Sequence, residues 1–258
     1  MPITLPTFIR TAALAAVALA PLAASAQGTA MPSEQRKAIG EIVREYLIAN
    51  PEVIQEALQE LEKRQAEAQR ATQREALTAS REALEKSPND FVVGNPNGDI
   101  TLVEFFDYNC GYCKRALGDL RQLVAADPRL KIVLKDFPVL GPESLEAARV
   151  ALAARRQLKG DKLFDFHATL IESRGRINAE RGLEVAKEFG LDLARLKKDI
   201  DGPHVKAAIQ ENVLLGDRLG LTGTPAFILG DEIISGAGGA EPLTKAIAST
   251  RQCGKAVC

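Results

Sequence analysis

The stretch "VEFFDYNCGYCKRA", residues 103–116, constrains this chain more than any other. Only four cysteines are present, and two of them, Cys110 and Cys113, stand three apart directly after a β-branched and aromatic run. "TLVEFF" (101–106) reads as a buried strand, and a helix is expected from about Cys110 to Ala125. Cys110 therefore falls where a strand hands over to a helix. A helix N-terminus offers partial positive charge and free N–H groups, both of which stabilise a thiolate. One turn later, Cys113 is placed to attack a mixed disulfide formed by Cys110, and Gly111-Tyr112 between them allow close approach. A zinc half-site would need two further ligands. Only Cys253, Cys258, His167 and His204 remain, and they form no second clasp at finger spacing. An inert crosslink closing so short a loop would stabilise little. The pair reads as a dithiol that exchanges electrons.

The compartment follows from the first 26 residues. Arg10 is their only charged side chain, and "TAALAAVALAPLAASA" after it is apolar, Ala-rich and too short for a membrane span. It ends in Ala24-Ser25-Ala26, a small-x-small signal, so residues 1–26 are expected to be a signal peptide cleaved after Ala26. The mature chain of 232 residues is expected to be exported, with the bacterial periplasm as its destination. Without Arg10, 32 basic residues face 34 acidic ones, a net charge of −2 that argues for no nucleic-acid partner.

Composition changes near residue 88. Residues 33–86 are dense in Glu, Gln, Arg and Ala. Ser33 reads as an N-cap, and Ile39, Ile42, Val43, Tyr46 and Leu47 follow at helical spacing. Asn50-Pro51 is a restart signal, with Asn50 capping and Pro51 in the first turn. The second helix is expected from Pro51 to about Lys86, roughly 50 Å at 1.5 Å per residue. Its apolar stripe is Val53, Ile54, Leu58 and Leu61, and beyond these "RQAEAQRATQRE" offers only alanines. Residues 27–88 thus read as a helical stalk that self-associates through the more apolar segment 39–61, against the alternative of a solvated arm.

Residues 89–258 read as a mixed α/β domain. A second strand is expected at "KIVLKDF" (131–137), then a helical stretch over about 143–219. "TPAFILG" and "EIISG" form a hairpin around Gly230-Asp231, and a last helix starts near Pro242. Glu104, flanked by apolar residues, is a candidate acid/base for the proton of Cys113, with Lys135 as a weaker candidate partner; the alternative is an outward-facing strand residue. Cys253 and Cys258 close the chain as "CGKAVC" and are expected to form a local structural disulfide rather than a second redox relay.

"VEFFDYNCGYCKRA" followed downstream by "TGTPAFILG" resembles the thioredoxin fold of the DsbA family of exported thiol–disulfide oxidoreductases, over about residues 89–250. The resemblance implies a cis Thr224-Pro225 bond beside the cysteines, with the Thr224 backbone bonding an extended substrate and Gly111 and Tyr112 touching it. It also implies that Glu104 is the family's buried acid and that 143–219 is its helical insertion. DsbA-type oxidases typically carry Pro-His between the cysteines and Val before the cis-proline. Gly-Tyr and Thr here look like disulfide isomerases of the DsbC type, and a pair lacking that His is expected to be less oxidising. The stalk ahead of such a domain resembles the suppressor of copper sensitivity C (ScsC) proteins. The implied activity is disulfide isomerase or reductase on misfolded or reduced exported proteins, with DsbA-type oxidase as the alternative and copper sequestration as one of a different class. The implied partners are a DsbD-like or DsbB-like membrane redox protein and further copies of the chain. No cofactor beyond the Cys110–Cys113 dithiol is called for.

Overall fold

The computed structural model describes residues 31–258, so the expected signal peptide lies outside the described residues. The chain divides into two compact units, one reaching Leu61 and the other spanning Glu62–Cys258. The division lies within a helix, upstream of the composition change near residue 88.

The first unit holds helix α1 (Ser33–Ala49) and the start of α2 (Glu52–Glu85). Pro32, not Ser33, occupies the cap position of α1, with no side-chain capping bond. Asn50 does not cap α2 with its side chain either. Its Nδ2 turns back to donate to Tyr46 O at 2.9 Å, closing α1. No residue of α1 is buried. Ile39, Ile42, Val43, Tyr46, Ile54, Leu58 and Leu61 are all exposed.

In the second unit the far end of α2 belongs to the core, because it carries Leu77, Ser80 and Leu84, all buried. These leucines supply what the alanine-rich middle lacks. They pack with Val103, Phe105, Val133, Phe137, Leu215 and Ile228.

The sheet has the order β1-β3-β2-β4-β5. Strands β2 (Ile100–Phe106) and β3 (Leu130–Asp136) run parallel, and α3 (Gly111–Ala126) connects them, as a parallel pair requires. The pair β4 (Ala226–Leu229) and β5 (Glu232–Ser235) is the expected hairpin, turned at Gly230 with φ 61. β1 (Phe91–Gly94), antiparallel to β3, has no counterpart among the expected strands. Its four residues are too few to show a period.

Side chains alternate across β2. Leu102 and Phe106 join the core under α3 and the last helix, α9 (Ala240–Cys253), whereas Val103 and Phe105 face the α2 side. The insertion supplies α4 (Pro142–Ala154), α5 (Asp161–Glu172), α6 (Ala179–Glu188), α7 (Leu193–Ile200) and α8 (Pro203–Arg218). On α8, Gly216 lets Phe137 approach: an added Cβ would lie 2.5 Å from the ring.

Candidate active site

Cys110 is the N-cap of α3, and its sulfur accepts from the Cys113 backbone N–H at 3.4 Å. Both thiols are free and buried. The second contact crosses the chain: Cys110 Sγ donates to Thr224 O at 3.1 Å. The Thr224–Pro225 peptide bond is cis. Thr224 Oγ1 is buried and has no hydrogen-bond partner, so the hydroxyl can turn to a charged sulfur. Strand β4 then departs antiparallel to β2, which holds the Thr224 segment beside the helix start.

The electrostatics separate the two sulfurs. The Cys113 side chain donating to Cys110, then Thr224 and the N–H groups of Cys113 and Tyr112, outweigh burial and lower the Cys110 pKa to about 5. An ordinary thiol near 8.5 is a few per cent ionised at pH 7, whereas one near 5 is about 99% thiolate. Burial pushes Cys113 the other way, reinforced by its bond to Cys110 and by the charge of Glu104. The surroundings thus favour the thiolate at Cys110 and the thiol at Cys113.

Glu104 is 2% exposed on the α3 face of β2. Burial first, then the charges of Cys110 and Asp119, raise its pKa to about 8. It is therefore no outward-facing strand residue. Lys135 does not partner it. The register sets Phe105 opposite Lys135, so Lys135 lies on the other face and bonds Asp90 Oδ1 instead. Gly111 begins α3 with open space around it, and Tyr112 is exposed with the Arg115 guanidinium 4.3 Å above its ring.

Three consecutive residues before Cys110 hold the site in ways that sequence reasoning missed. Asp107 Oδ2 accepts from Val139 N at 2.9 Å and Leu140 N at 3.0 Å. The Tyr108 hydroxyl meets His167 Nδ1 at 3.1 Å on α5. Burial, then the charges of Arg155 and Arg121, lower the His167 pKa to about 3, so this ring is neutral and structural. Asn109 donates from Nδ2 to Ile177 O at 2.8 Å and Ser144 Oγ at 3.1 Å, and its Oδ1 accepts from Ile177 N at 2.8 Å. The available signal was a run of three polar residues directly after a buried strand. Beside Cys110 opens a cleft of about 360 Å³ between α3 and the segment joining α5 to α6.

Cys253 and Cys258, at the far end of α9, are joined in a disulfide. Among the described residues no group of three or more His, Cys, Asp or Glu side chains could hold a metal ion.

Comparison with known proteins identifies the family and the fold. The family model described as DSBA-like thioredoxin domain matches residues 101–248. The model described as Copper resistance protein ScsC N-terminal domain matches residues 35–68. A thioredoxin-like oxidoreductase from Silicibacter pomeroyi DSS-3 is 42% identical, with a TM-score of 0.64, over 67% of this chain and 98% of that one. Proteus mirabilis ScsC in a transitional conformation is 26% identical, with a TM-score of 0.63, over 85% of this chain and 98% of that one. Among curated relatives, the Na(+)/H(+) antiporter NhaA of Herminiimonas arsenicoxydans is 29% identical over 166 residues, 63% of this chain but 26% of its own length. The chain thus spans about a quarter of the curated relatives it matches. Among the described residues no helix is long and apolar enough to cross a membrane. With a dithiol at the head of α3 and a sheet of this order, the chain belongs to the DSBA-like thioredoxin domain family and has the fold of the DsbA- and ScsC-type oxidoreductases.

Proposed function

We propose that this protein is a periplasmic thiol–disulfide oxidoreductase whose Cys110–Cys113 dithiol isomerises or reduces disulfides in exported proteins. The observation that carries the reading is Cys110 at the head of α3, its sulfur accepting from the Cys113 N–H, in surroundings that favour a thiolate there and a thiol at buried Cys113. The Cys110 thiolate attacks one sulfur of a client disulfide. The S–S bond breaks, the other client sulfur leaves as a thiolate, and a Cys110–client disulfide forms. On ionising, Cys110 no longer donates to Thr224 O, which becomes free to accept from a backbone N–H of an extended client.

Two exits follow. The released client thiolate can attack a different client disulfide, and the thiolate expelled there then displaces Cys110, which is isomerisation with no net electron transfer. Alternatively, Cys113 attacks Cys110 and expels the client thiolate, with Glu104 taking the Cys113 proton. Two electrons then pass to the client, the protein is left oxidised, and a membrane redox protein must restore the dithiol. The expected signal peptide and the Cys253–Cys258 disulfide both support an oxidising, exported setting.

Isomerisation is favoured by an assembly that holds a misfolded client among several active sites. The exposed Ile42, Tyr46, Leu58 and Leu61 on α1 and α2, in the segment resembling the ScsC N-terminal domain, support self-association. A second reading, dithiol oxidase, draws on one observation: a Cys110 pKa of about 5 stabilises the reduced form, which makes the disulfide more oxidising.

The deciding experiment is reactivation of a scrambled-disulfide protein by the mature chain and by the Ile42→Glu/Leu58→Glu variant, with sedimentation of both. Isomerase function predicts rapid reactivation that falls as the variant dissociates, while oxidation and reduction of small dithiols persist. Feeble reactivation by both, with fast oxidation of reduced clients, would establish the oxidase instead.

A further inference from the structure

The cleft beside Cys110 has a one-sided charge. Its walls are the first turn of α3, the Tyr108–Asn109 turn and the Ser173–Ile177 segment. Among the described residues two cations line it, Lys114 and Arg174, and no carboxylate does. Lys114 is held in place because its Nζ donates to Glu172 O at 2.6 Å and Ser173 O at 3.1 Å, the last residue of α5 and its C-cap. That contact offsets its charge only with carbonyl dipoles.

Arg174 is distinguished from the arginines around it. Arg121 pairs with Glu172, Arg176 with Glu143, and Arg181 with Glu184 and Glu188. Among the described residues Arg174 has no ion pair or hydrogen bond, and it lies exposed on the rim. The distance of the wall from the reactive sulfur is fixed, since Asn109 grips both backbone groups of Ile177 at 2.8 Å one residue before Cys110. The apolar lining is Ile171 and Ile177.

From this we infer that the cleft is a client subsite, selecting polypeptide segments that carry a carboxylate side chain within one or two residues of the reacting cysteine. Arg174 determines the charge preference, Lys114 supports it, and Asn109 positions the wall. A polypeptide rather than a small anionic thiol is the occupant, because Thr224 O on the other side of Cys110 is set to receive a backbone N–H from an extended chain. About 360 Å³ accommodates a few side chains of such a segment. The inference rests on the exchange activity proposed above. Cations beside a negatively charged sulfur also offset the repulsion an acidic client would otherwise meet there.

The test uses the full mature chain, reduced, and three peptides with one quenched internal disulfide, identical except for Glu, Gln or Lys on both sides of the attacked cysteine. Each rate of Cys110 attack is divided by the rate of a free reference thiol, removing the peptides' own reactivity. The expected order is Glu over Gln over Lys. The ratio of Glu to Lys should be about 10-fold in 50 mM salt and collapse to within about 2-fold at 500 mM, where screening shortens to a few ångströms. Arg174→Glu should abolish or reverse the preference for Glu over Lys among the normalised rates. Equal normalised rates for the three peptides, or an unchanged order in Arg174→Glu, would overturn the subsite and leave the exchange activity standing. A charge preference seen with oxidised glutathione but with none of the peptides would overturn the polypeptide assignment. No exchange with any peptide would overturn the proposed function and the subsite with it.

Discussion

Replacing Glu104 by Gln tests the buried acid where its consequence is largest, in the pH dependence of stability. Glu104 is 2% exposed, and burial raises its carboxyl from the ordinary carboxylate range to about 8. The native state therefore keeps a proton that the unfolded chain releases near 4.5. Between those two values the native state binds one proton more, so this residue removes stability as the pH rises. The loss is roughly 1 kcal/mol per pH unit, or about 2–3 kcal/mol between pH 5 and pH 7. Below about 4.5 both states are protonated and the effect vanishes; above 8 it levels off. Gln leaves a buried amide that costs about 1–3 kcal/mol, but this cost does not vary with pH. The change in the difference between the two proteins is therefore diagnostic, whatever its offset. Thermal melts of the reduced proteins at pH 5, 6, 7 and 8 should show the wild type losing ground to Glu104→Gln. From pH 5 to pH 7 the relative loss should be roughly 5–11 °C for a unit of this size. Parallel curves would refute the reasoning, because they would mean that Glu104 is ionised in the folded protein throughout. The same experiment bears on chemistry. Escape from a Cys110–client disulfide should accelerate with pH to a plateau near 8 in the wild type and lose that inflection in the variant.

Alkylation of reduced protein by iodoacetamide should occur first at Cys110, with a midpoint near pH 5 set by the hydrogen bonds to its sulfur; a midpoint above 8 would contradict the description of the helix start. Asp90→Ala removes the carboxylate bonded to fully buried Lys135, so urea unfolding should show about 3–5 kcal/mol of destabilisation, and a loss under about 1 kcal/mol would contradict a buried pair there.

The parts of the fold visible in the sequence are those whose evidence is local. Residues 101–106 announce a strand by their own branching, and Gly230-Asp231 announces a hairpin by the backbone conformation it permits. The helix start at Cys110 follows from the strand ahead of it. What stays hidden depends on partners far along the chain. Lys135 and Glu104 suggest a pair because they lie in adjacent strands; parity of side chains across the sheet separates them, and Asp90 lies 45 residues away in a turn. The buried end of α2 is concealed because three buried residues in a charged, alanine-rich helix make too thin a stripe to distinguish docking from exposure. Asp107, Tyr108 and Asn109 look like the flank of a motif. His167 looks like a spare metal ligand and is instead a neutral ring against Tyr108.

The three grips ahead of Cys110 also set an order in which reactivity is acquired as the chain folds. Their partners lie 32, 59 and 68 residues downstream, and the Thr224 carbonyl lies 114 residues downstream. The sulfur's own helix start is local and forms early, whereas contacts closing longer loops carry a growing entropic cost. A nascent chain that has built β2 and α3 thus holds an activated sulfur before it holds a wall beside it. Discrimination among clients arrives only when α5 and the start of α6 dock, and the Thr224 segment completes the site last.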